Sequence, residues 1–456
     1  MDVQAKFVEQ ELESVVPAFS DEALALRFAD RHANDLRYVA AWGRWLRYDG
    51  SRWAFEDTLA AFDFARKICR EAAAECNKPK AAAVVASAKT VAAVERLAKA
   101  DRRLAATIRQ WDADPWLLNT PAGVIDLRTG KFRPHRPQDY FTKQTTVTPV
   151  PKCPITLWLK FLHQVTNGYP ELVGYLQRLL GYCLTGVTRE HALAFLYGIG
   201  ANGKSTFLTA VTGAIGDYHR TAPIETFTAS SSDRHPTDLA GLVGARLVTA
   251  TETEEGRRWA ESKIKTLTGG DPISARSMRQ DFFEYVPQFK LLIAGNHKPG
   301  LRTVDEAIRR RFNLIPFVVT IPLPERDLKL SEKLEAEWPG ILQWMIDGCL
   351  AWQRTGLQPP STVKEATAAY LDGEDAVAAW VDETCEVNPQ AWEKTSNLYA
   401  SWKAWADKSG EHAGSAKRFG QNLEARGYSL RRKNTARGFI GIKINRVEEK
   451  PHWSDR

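Results

Sequence analysis

The segment from Gly198 to Ser205 constrains this chain more than any other feature of its sequence. It reads Gly-Ile-Gly-Ala-Asn-Gly-Lys-Ser and fills the pattern Gly-x-x-x-x-Gly-Lys-Ser. A short apolar run, Leu193 to Tyr197, precedes it, and residues Ser205 to Ile215 favour a helix. A strand, a glycine-rich loop and a helix in this order predict a phosphate-binding loop, in which backbone amides and the helix N-terminus face phosphate oxygens. The alternative is a chance glycine-rich turn, and the flanking strand and helix argue against it.

The side chains of this loop predict a nucleotide site. Lys204 has the length to reach the β- and γ-phosphates, and the hydroxyl of Ser205 suits Mg²⁺. We therefore predict ATP and Mg²⁺ as cofactors. The residues expected to bind the nucleotide are Gly198, Gly200, Asn202, Gly203, Lys204, Ser205 and Thr206.

Apolar strands and helices alternate through the middle of the chain, which predicts an α/β fold. A helix from Arg257 to Thr268 is followed by Gly269-Gly270, which favours helix termination. After the strand that precedes the loop, further strands are predicted at Arg246 to Thr251, Lys290 to Ala294 and Phe312 to Val319.

Two of these strands lead into polar residues of the kind that ATP hydrolysis requires. Glu252 and Glu254 follow the second strand, and parallel sheets hold their ligands at this end of the strands. Glu252 is the first choice for the catalytic carboxylate and, with Ser205, for a Mg²⁺ ligand, while Glu254 is the second choice. The alternative is that Glu254 and Glu255 only form the acidic first turn of the next helix. Asn296 follows the third strand and can orient the attacking water.

Arg310 and Arg311 stand just before the fourth strand. They are either the solvated end of a helix or arginine fingers that complete the nucleotide site of a neighbouring subunit. The sequence leaves both interpretations open and does not separate the two arginines.

Length and charge indicate the wider organisation. At about 150 residues per domain, 456 residues predict about three domains. We place them at residues 1–150, mainly helical with short strands near the end, at 151–360, beginning with helices near 155–185, and at 361–456. The net charge of +7 indicates a polyanionic partner. No apolar run approaches the roughly 20 residues of a bilayer span, and the N-terminus is unlike a signal peptide, so we expect a cytoplasmic protein without membrane contact.

The last predicted domain carries a basic cluster. Between residues 396 and 445, two helices are followed by two strands, which predicts a winged helix. Basic side chains on the second helix and around the strands favour DNA binding. A solvated face or a docking surface for a protein is the alternative. The residues expected to bind DNA here are Lys417, Arg418, Arg431, Arg432 and Lys433.

Taken in order, these motifs resemble the superfamily 3 helicases of small DNA viruses, phages and plasmids, and above all the phage/plasmid and poxvirus primase-helicase family. Leu117-Leu118-Asn119 and Gly123 to Leu127 resemble the domain that precedes the helicase in that family. In the ATPase region the matching blocks are Gly-x-Gly-x-Asn-Gly-Lys-Ser-Thr at 198–206, Glu-x-Glu at 252–254, Lys-x-Leu-Thr-Gly-Gly-Asp at 265–271, Ile-Ser-Ala-Arg at 273–276, Asn-His-Lys-Pro at 296–299, and Arg-Arg-Phe with Ile-Pro-Phe at 310–317.

The resemblance implies an AAA+ P-loop ATPase core that assembles into hexameric rings. It implies ATP-driven movement 3′-to-5′ on single-stranded or forked DNA during replication of a phage, plasmid or integrated element, in a bacterial or phage-infected cell. It also implies that Asn296 is the sensor, and that Arg310 and Arg311 are the finger and its companion, acting across a subunit boundary.

A hairpin between Ile273 and Val286 is expected, by the same resemblance, to project into the pore of the ring. Its aromatic residues, Phe282, Phe283 and Tyr285, either stack on bases or pack the hairpin against the core. The residues expected to contact DNA phosphates in this region are Lys265, Arg276 and Arg279.

Two other functions stay open at this point. A DNA-binding ATPase could act as an origin-binding loader or a defence component without unwinding DNA. A small-molecule P-loop kinase is disfavoured by Asn296, by Arg310 and by the basic C-terminus.

Two possible sites are set aside. Asp112 and Asp114 resemble the metal-binding carboxylates of a primase, but they follow a helical stretch and precede Pro115, so we interpret them as structural. Too few residues precede the matching region for a primase domain, so we expect no primer synthesis by this chain alone and a separate primase as a partner. Six scattered cysteines predict free thiols and not a zinc site.

Overall fold

Three prolines between residues 149 and 154 lie where the chain divides. The computed structural model describes residues 17–229, 237–252, 257–276, 281–301, 304–411, 413–433 and 436–445. It consists of two compact units, Met1–Thr148 and Pro149–Arg456. Within the described ranges, no helix has both the length and the apolarity that a bilayer span needs. All six cysteines are free thiols, as their spacing predicts.

The core of the first unit forms where alanine-rich helices pack against a small antiparallel sheet. Phe28, Leu36, Ile68 and Val94 are fully buried in it. The Pro- and Gly-punctuated stretch after Trp111 contains short strands, which confirms the prediction. The elements are the helices α1 (Asp21–His32), α2 (Ala60–Glu75), α3 (Pro79–Val85) and α4 (Ala88–Ala98), and the strands β1 (Leu36–Val39), β2 (Arg44–Tyr48), β3 (Trp53–Phe55), β4 (Leu117–Thr120), β5 (Gly123–Asp126) and β6 (Lys131–Arg133).

The Leu-Leu-Asn block has a structural role in this unit. The fully buried amide of Asn119, on β4, donates to the carbonyl oxygens of Ser51 and Lys143, at 3.1 and 3.0 Å. Gly123 begins β5, and a Cβ there would lie 2.4 Å from the ring of Phe132. The block therefore ties three segments together where only glycine fits the turn.

A five-stranded parallel sheet forms the centre of the second unit. Its strands are β7 (Leu193–Tyr197), β8 (His219–Thr221), β9 (Leu247–Glu252), β12 (Lys290–Gly295) and β13 (Phe312–Pro316). Their order across the sheet is β13-β7-β12-β9-β8. The four predicted strands are confirmed, although β13 ends at Pro316 and not at Val319, since Pro316 lacks the N–H that a strand interior needs. The edge strand β8 was not predicted.

Helices flank this sheet. Gly270 has a φ of +81° at the C-terminal end of α9, which confirms the predicted stop. At the crossing of α6 and α12, a Cβ on Gly181 would lie 2.0 Å from the backbone nitrogen of Cys349, so glycine allows the close approach. The helices are α5 (Thr156–Val165), α6 (Pro170–Cys183), α7 (Lys204–Ile215), α8 (Thr237–Ala240), α9 (Glu261–Gly269), α10 (Glu306–Arg309), α11 (Leu330–Glu335), α12 (Trp338–Thr355) and α13 (Ser361–Gly373).

Two smaller sheets complete the second unit. The strands β10 (Ile273–Arg276) and β11 (Phe282–Tyr285) pair antiparallel and form the predicted hairpin. The end of the chain has its own core, in which Trp380, Trp402, Phe419 and Leu423 are buried. Around it lie the helices α14 (Ala376–Thr384), α15 (Thr395–Ser409) and α16 (Ala416–Ala425) and an antiparallel sheet in the order β14 (Cys385–Lys394), β16 (Ala436–Ile444), β15 (Ser429–Lys433).

Candidate functional site

The glycine-rich loop connects β7 to α7, as its sequence predicts. Gly198 has a φ of +152°, and a Cβ there would lie 2.0 Å from the carbonyl oxygen of Phe317. Gly203 has a φ of +83°, and a Cβ there would lie 2.6 Å from Val165. Both positions therefore require glycine, because side chains are disfavoured at such φ values and neither site has room for one. Gly200, in contrast, faces open space.

Lys204 is buried at the first residue of α7, with 8% of its surface exposed. Its Nζ donates to the carbonyl oxygen of Gly198 at 2.6 Å, to Asn202 Oδ1 at 3.1 Å and to Asn296 Oδ1 at 3.2 Å. Burial lowers the pKa of Lys204. No carboxylate among the described side chains pairs with this ammonium group. A desolvated cation that is bound only by neutral oxygens is suited to an incoming anion.

The neighbouring strands bring the other predicted residues to the loop. Gly295, the last residue of β12, pairs in register with Tyr197 of β7 and with Glu252 of β9. The residue after Gly295 is Asn296, which explains its contact with Lys204. Asn202 is held in turn by a 2.7 Å hydrogen bond that its amide donates to the carbonyl oxygen of Phe317.

A cleft of about 580 Å³ opens between the loop, α7 and the carboxyl ends of the strands, a size typical of ligand pockets. Ser205 is exposed beside it, and Glu252 ends β9 at the same edge. Only the backbone of Glu252 is described, so a Mg²⁺ site shared by Ser205 and Glu252 stays a prediction. Glu254 lies outside the described residues.

Sequence reasoning missed several residues that line this cleft, among them Thr251, Thr249 and His219. Thr251 lines it near the end of β9. Deeper in the cleft, His219 Nε2 lies 2.7 Å from Thr249 Oγ1. Burial, together with the charge of Arg220, lowers the pKa of His219 to about 4, so the ring is neutral near pH 7. No motif marks these residues, because only the pairing of β8 with β9 brings them together.

A second cleft, of about 600 Å³, adjoins the loop on its other side. It shares Ala201, Gly203 and Thr206 with the loop. Its lining combines apolar side chains, Leu157, Phe161, Ile321 and Leu328, with the charged residues Lys160, Glu325, Arg326 and Asp327.

The two arginines before β13 have different environments. Arg311 is 6% exposed, and its guanidinium donates to Thr268 Oγ1 at 3.0 Å and to the carbonyl oxygen of Ala307 at 2.8 Å. Arg310 is exposed, and its guanidinium makes no hydrogen bond or ion pair with the described residues. Arg311 is therefore engaged within its own chain, whereas the side chain of Arg310 faces solvent.

The hairpin strands carry part of the predicted DNA surface. Arg276 is exposed, and its guanidinium lies 5.3 Å from the ring centre of Phe282, which is 60% exposed. Tyr285 instead donates a 2.7 Å hydrogen bond to the carbonyl oxygen of Leu239 and packs on the sheet core. Arg279 lies outside the described residues.

Lys265 has an intramolecular partner. Its ammonium group pairs with the carboxylate of Asp305, which also accepts the amide hydrogen of Ile308 at 2.9 Å and so caps α10. This contact links α9 to the arginine-bearing helix, while a DNA contact for Lys265 stays a prediction.

At the end of the chain, Lys417, Arg431 and Arg432 are exposed. Arg432 lies directly opposite Arg437 across the β15–β16 pair. Like charges in facing positions are unfavourable without an anion between or near them. Only the backbone of Arg418 and of Lys433 is described.

The two aspartates that were set aside have structural partners. Asp112 Oδ1 accepts the amide hydrogen of Thr142 at 2.9 Å, and Asp114 Oδ1 accepts that of Trp116 at 2.9 Å. Arg128 also pairs with Asp114 at 3.2 Å. These contacts agree with the structural interpretation.

Comparison with known proteins gives two family matches. Residues 25–167 match the family described as D5 N terminal like. Residues 196–311 match a family of unknown function, DUF5906.

Among curated proteins, three viral relatives are similar to the chain. "Putative helicase L207/L206" of Acanthamoeba polyphaga mimivirus is 26% identical over 65% of the chain and 34% of its own length. "Putative helicase 022R" of Frog virus 3 (isolate Goorha) is 24% identical over 57% and 29%. "Putative helicase 184R" of Invertebrate iridescent virus 6 is 28% identical over 49% and 24%. The chain thus spans about a quarter to a third of the length of these relatives.

Among solved structures, the apo C-terminal region of NrS-1 (305-718) is similar in fold, with TM-scores of 0.52 and 0.50 in two crystal structures. Each covers 93% of this chain and 100% of the other, at 10% identity, which shows likeness of fold alone. The matched families, the viral relatives and the order of the motifs together support a phage or viral primase-helicase family for this chain.

Proposed function

We propose that this chain is an ATP-driven DNA helicase whose nucleotide sites are each completed by a neighbouring copy of the chain. The observation that carries the proposal is the separation of Lys204 from Arg310 by the whole length of the central sheet. Lys204 follows β7, whereas Arg310 precedes β13, which is parallel to β7 and in register with it. Five residues of strand span roughly 17 Å. An arginine side chain does not cross that distance, so Arg310 reaches a γ-phosphate only on another subunit.

An interface that joins two different faces of one protein is head-to-tail, and such interfaces form a ring when the rotation between subunits closes. We propose the closed form. The family resemblance supplies the expected number, six. The parallel strand order supports an AAA+ type core, and the helices and antiparallel sheet after Ala376 support a winged helix. Both assignments form part of the proposal.

In this proposal the site residues have separate roles in binding and hydrolysis. The amides between Gly198 and Lys204 and the Lys204 ammonium hold the phosphates, and Ser205 and Glu252 hold Mg²⁺. Bound ATP and Mg²⁺ supply the transferable phosphoryl group and its charge compensation. Asn296 orients the attacking water, and Arg310 of the neighbour stabilises the charge that develops on the γ-phosphate.

DNA is gripped at two surfaces in this proposal. The exposed Arg276 and Phe282 lie at the end of the hairpin next to its tip, where phosphate and base contacts need no sequence preference. The second surface, here called the C-terminal basic surface, comprises the exposed residues Lys417, Arg431 and Arg432. We place this activity in the replication of a phage, plasmid or integrated element, in the cytoplasm of the host cell and beside a separate primase.

The test is ATP hydrolysis with and without single-stranded DNA, followed by strand displacement on forked duplexes that carry either a 3′ or a 5′ tail. Stimulation with displacement from the 3′ tail is expected, and the Lys204→Ala variant should show neither activity. Stimulation without displacement would favour the loader. Hydrolysis that ignores DNA would contradict both functions.

A further inference from the structure

A short segment from Tyr370 to Asp375, here called the joint segment, touches three parts of the second unit. It runs from the end of α13 to the N-cap of α14. The three parts are the loop after Asn296, the arginine helix α10 and the C-terminal core.

The first set of contacts involves the loop after Asn296, beside the proposed nucleotide site. The hydroxyl of Tyr370 donates to the carbonyl oxygen of Pro299, and Glu374 Oε2 accepts the amide hydrogen of Leu301 at 2.8 Å. Pro299 is three residues beyond Asn296, whose side chain contacts Lys204. The joint segment therefore holds the loop that follows the predicted sensor.

The contacts with α10 and with the C-terminal core both involve the carboxylate of Asp375. Asp375 is only 5% exposed, and it pairs with Arg426 at the end of α16 and, at 3.6 Å, with Arg309. Arg309 is adjacent in sequence to Arg310. Asp375 also caps α14, since Oδ1 accepts the amide hydrogen of Ala378 at 3.2 Å.

One buried carboxylate between two guanidinium groups links their positions. The carboxylate is buried, while the side chains of Arg309 and Arg426 are 37% and 26% exposed. Because both pair with the same carboxylate, a shift of one arginine changes the field on the other. Arg426 follows the helix that carries Lys417 and precedes the strand that carries Arg431 and Arg432. A rearrangement of this basic surface thus reaches Arg309, and with it the helix that carries Arg310.

We infer that Asp375 is a positioning residue that couples DNA bound at the C-terminal basic surface to the arginine presented to the neighbouring nucleotide site. This inference rests on the proposed function. It assigns to the joint segment the regulation of hydrolysis by DNA.

The test compares Asp375→Asn with Asp372→Asn in the full chain. Asparagine keeps the size and the N-cap of Asp375 but removes its charge. Asp372 also pairs with Arg309, at 3.1 Å, but it is exposed and pairs with no other described cation. We expect the factor by which saturating single-stranded DNA raises ATP hydrolysis to fall about fivefold or more in Asp375→Asn, a typical size for coupling between sites. Asp372→Asn should keep the wild-type factor.

A second variant distinguishes a loss of coupling from a loss of folding. Arg426→Gln leaves the Asp375–Arg309 pair in place and should lose the same stimulation while retaining DNA-independent hydrolysis. Because coupling is reciprocal, a non-hydrolysable ATP analogue should change DNA affinity in the wild type and not in either coupling variant. If Asp375 and Arg426 only stabilised the fold, the analogue would still change the DNA affinity of both variants.

The outcomes separate the two proposals. Wild-type stimulation in both Asp375→Asn and Arg426→Gln would overturn the coupling and leave the proposed function standing. A wild-type protein that DNA neither binds nor stimulates would overturn the proposed function, and the coupling with it.

Discussion

The amide of Leu193 donates a 2.8 Å hydrogen bond to the carbonyl oxygen of Arg311. Leu193 is the first residue of β7, and the phosphate-binding loop follows the last. This bond holds Arg311, and with it the neighbouring Arg310, at the amino ends of the parallel strands. The glycine-rich loop of the same chain lies at their carboxyl ends. The geometry agrees with the proposed finger that acts on a neighbouring subunit, and it leads to a prediction about mixtures of inactive chains.

Lys204→Ala and Arg310→Ala should each abolish ATP hydrolysis when assayed alone, since arginine fingers contribute roughly 10³- to 10⁵-fold. An equal mixture should regain activity, because Lys204 of one chain and Arg310 of the other then meet at some interfaces. With random head-to-tail assembly, about a quarter of interfaces would be intact. Steady-state phosphate release over a series of mixing ratios measures the recovery.

The control is a mixture of Lys204→Ala with Lys204→Ala,Arg310→Ala, which should stay inactive. Failure of the first mixture to regain activity, while both chains still co-assemble, would argue for a site contained in one subunit.

Glycine substitutions in the loop should have unequal effects. Gly198→Ala places a Cβ 2.0 Å from the carbonyl oxygen of Phe317, at a φ of +152°, and should abolish nucleotide binding. Gly200→Ala meets nothing within 4 Å and should bind nearly as the wild type does. Titration with a fluorescent ATP analogue measures both. Equal affinities of the two variants for the analogue would show that the loop can rearrange to accept a side chain in place of Gly198.

Much of this site was predictable because it is local in sequence. The strand, loop and helix around Lys204 follow one another, and Asn296 directly follows an apolar strand. The pairing of β12 between β7 and β9, which brings Asn296 to Lys204, is a tertiary property that the motif only implies.

Other features depend on long-range contacts and left no local signal. The edge strand His219–Thr221 has no apolar alternation and forms because β9 offers a free edge. Arg310 and Arg311 are identical in type, and only tertiary contacts, such as those of Arg311 with Thr268 and Ala307, distinguish the buried one. In sequence, the joint segment looks like an ordinary acidic helix end, because its partners are brought to it only by the fold.

Arg311→Ala should lower stability where Arg310→Ala does not. The Arg311 guanidinium fills a buried site between α9 and α10, so its loss removes two hydrogen bonds and leaves a cavity. We expect a cost of about 2–4 kcal/mol for Arg311→Ala, against about 0.5 kcal/mol or less for the exposed Arg310→Ala. Denaturant unfolding followed by tryptophan fluorescence gives both values. Similar values for the two variants would contradict the assignment of separate roles.

The C-terminal basic surface should make DNA binding depend on salt. Replacing Arg431 and Arg432 together by alanine should lower affinity alike for unrelated sequences and reduce the slope of log K against log salt by about 1.4, since each phosphate contact on single strands contributes about 0.7. Lys443→Ala is the matched control, because Lys443 lies on the adjacent β16 but is paired with Glu386 at 2.8 Å. Fluorescence anisotropy over a salt series measures the slopes. An unchanged slope in the double variant would place the DNA contacts elsewhere.

Lys290 should make the stability of the second unit rise with pH. Its Nζ donates to the carbonyl oxygens of Thr185 and Gln288 at the buried start of β12. Burial lowers the pKa of Lys290 from 10.5 to about 7, and the charge of Arg246 acts in the same direction. Between these two values the unfolded chain binds more protons at this residue than the folded protein does. Stability therefore increases as pH rises through that window.

The comparison that isolates this effect is with Lys290→Met, which has a similar length and no charge. The free energy of unfolding of the wild type, minus that of the variant, should increase by about 2 kcal/mol between about pH 7 and about pH 9. Denaturant titrations at several pH values, followed by tryptophan fluorescence, measure it. A constant difference would mean that Lys290 keeps its proton throughout this range, with its three carbonyl acceptors and the ring of Tyr182 stabilising the ammonium form against desolvation.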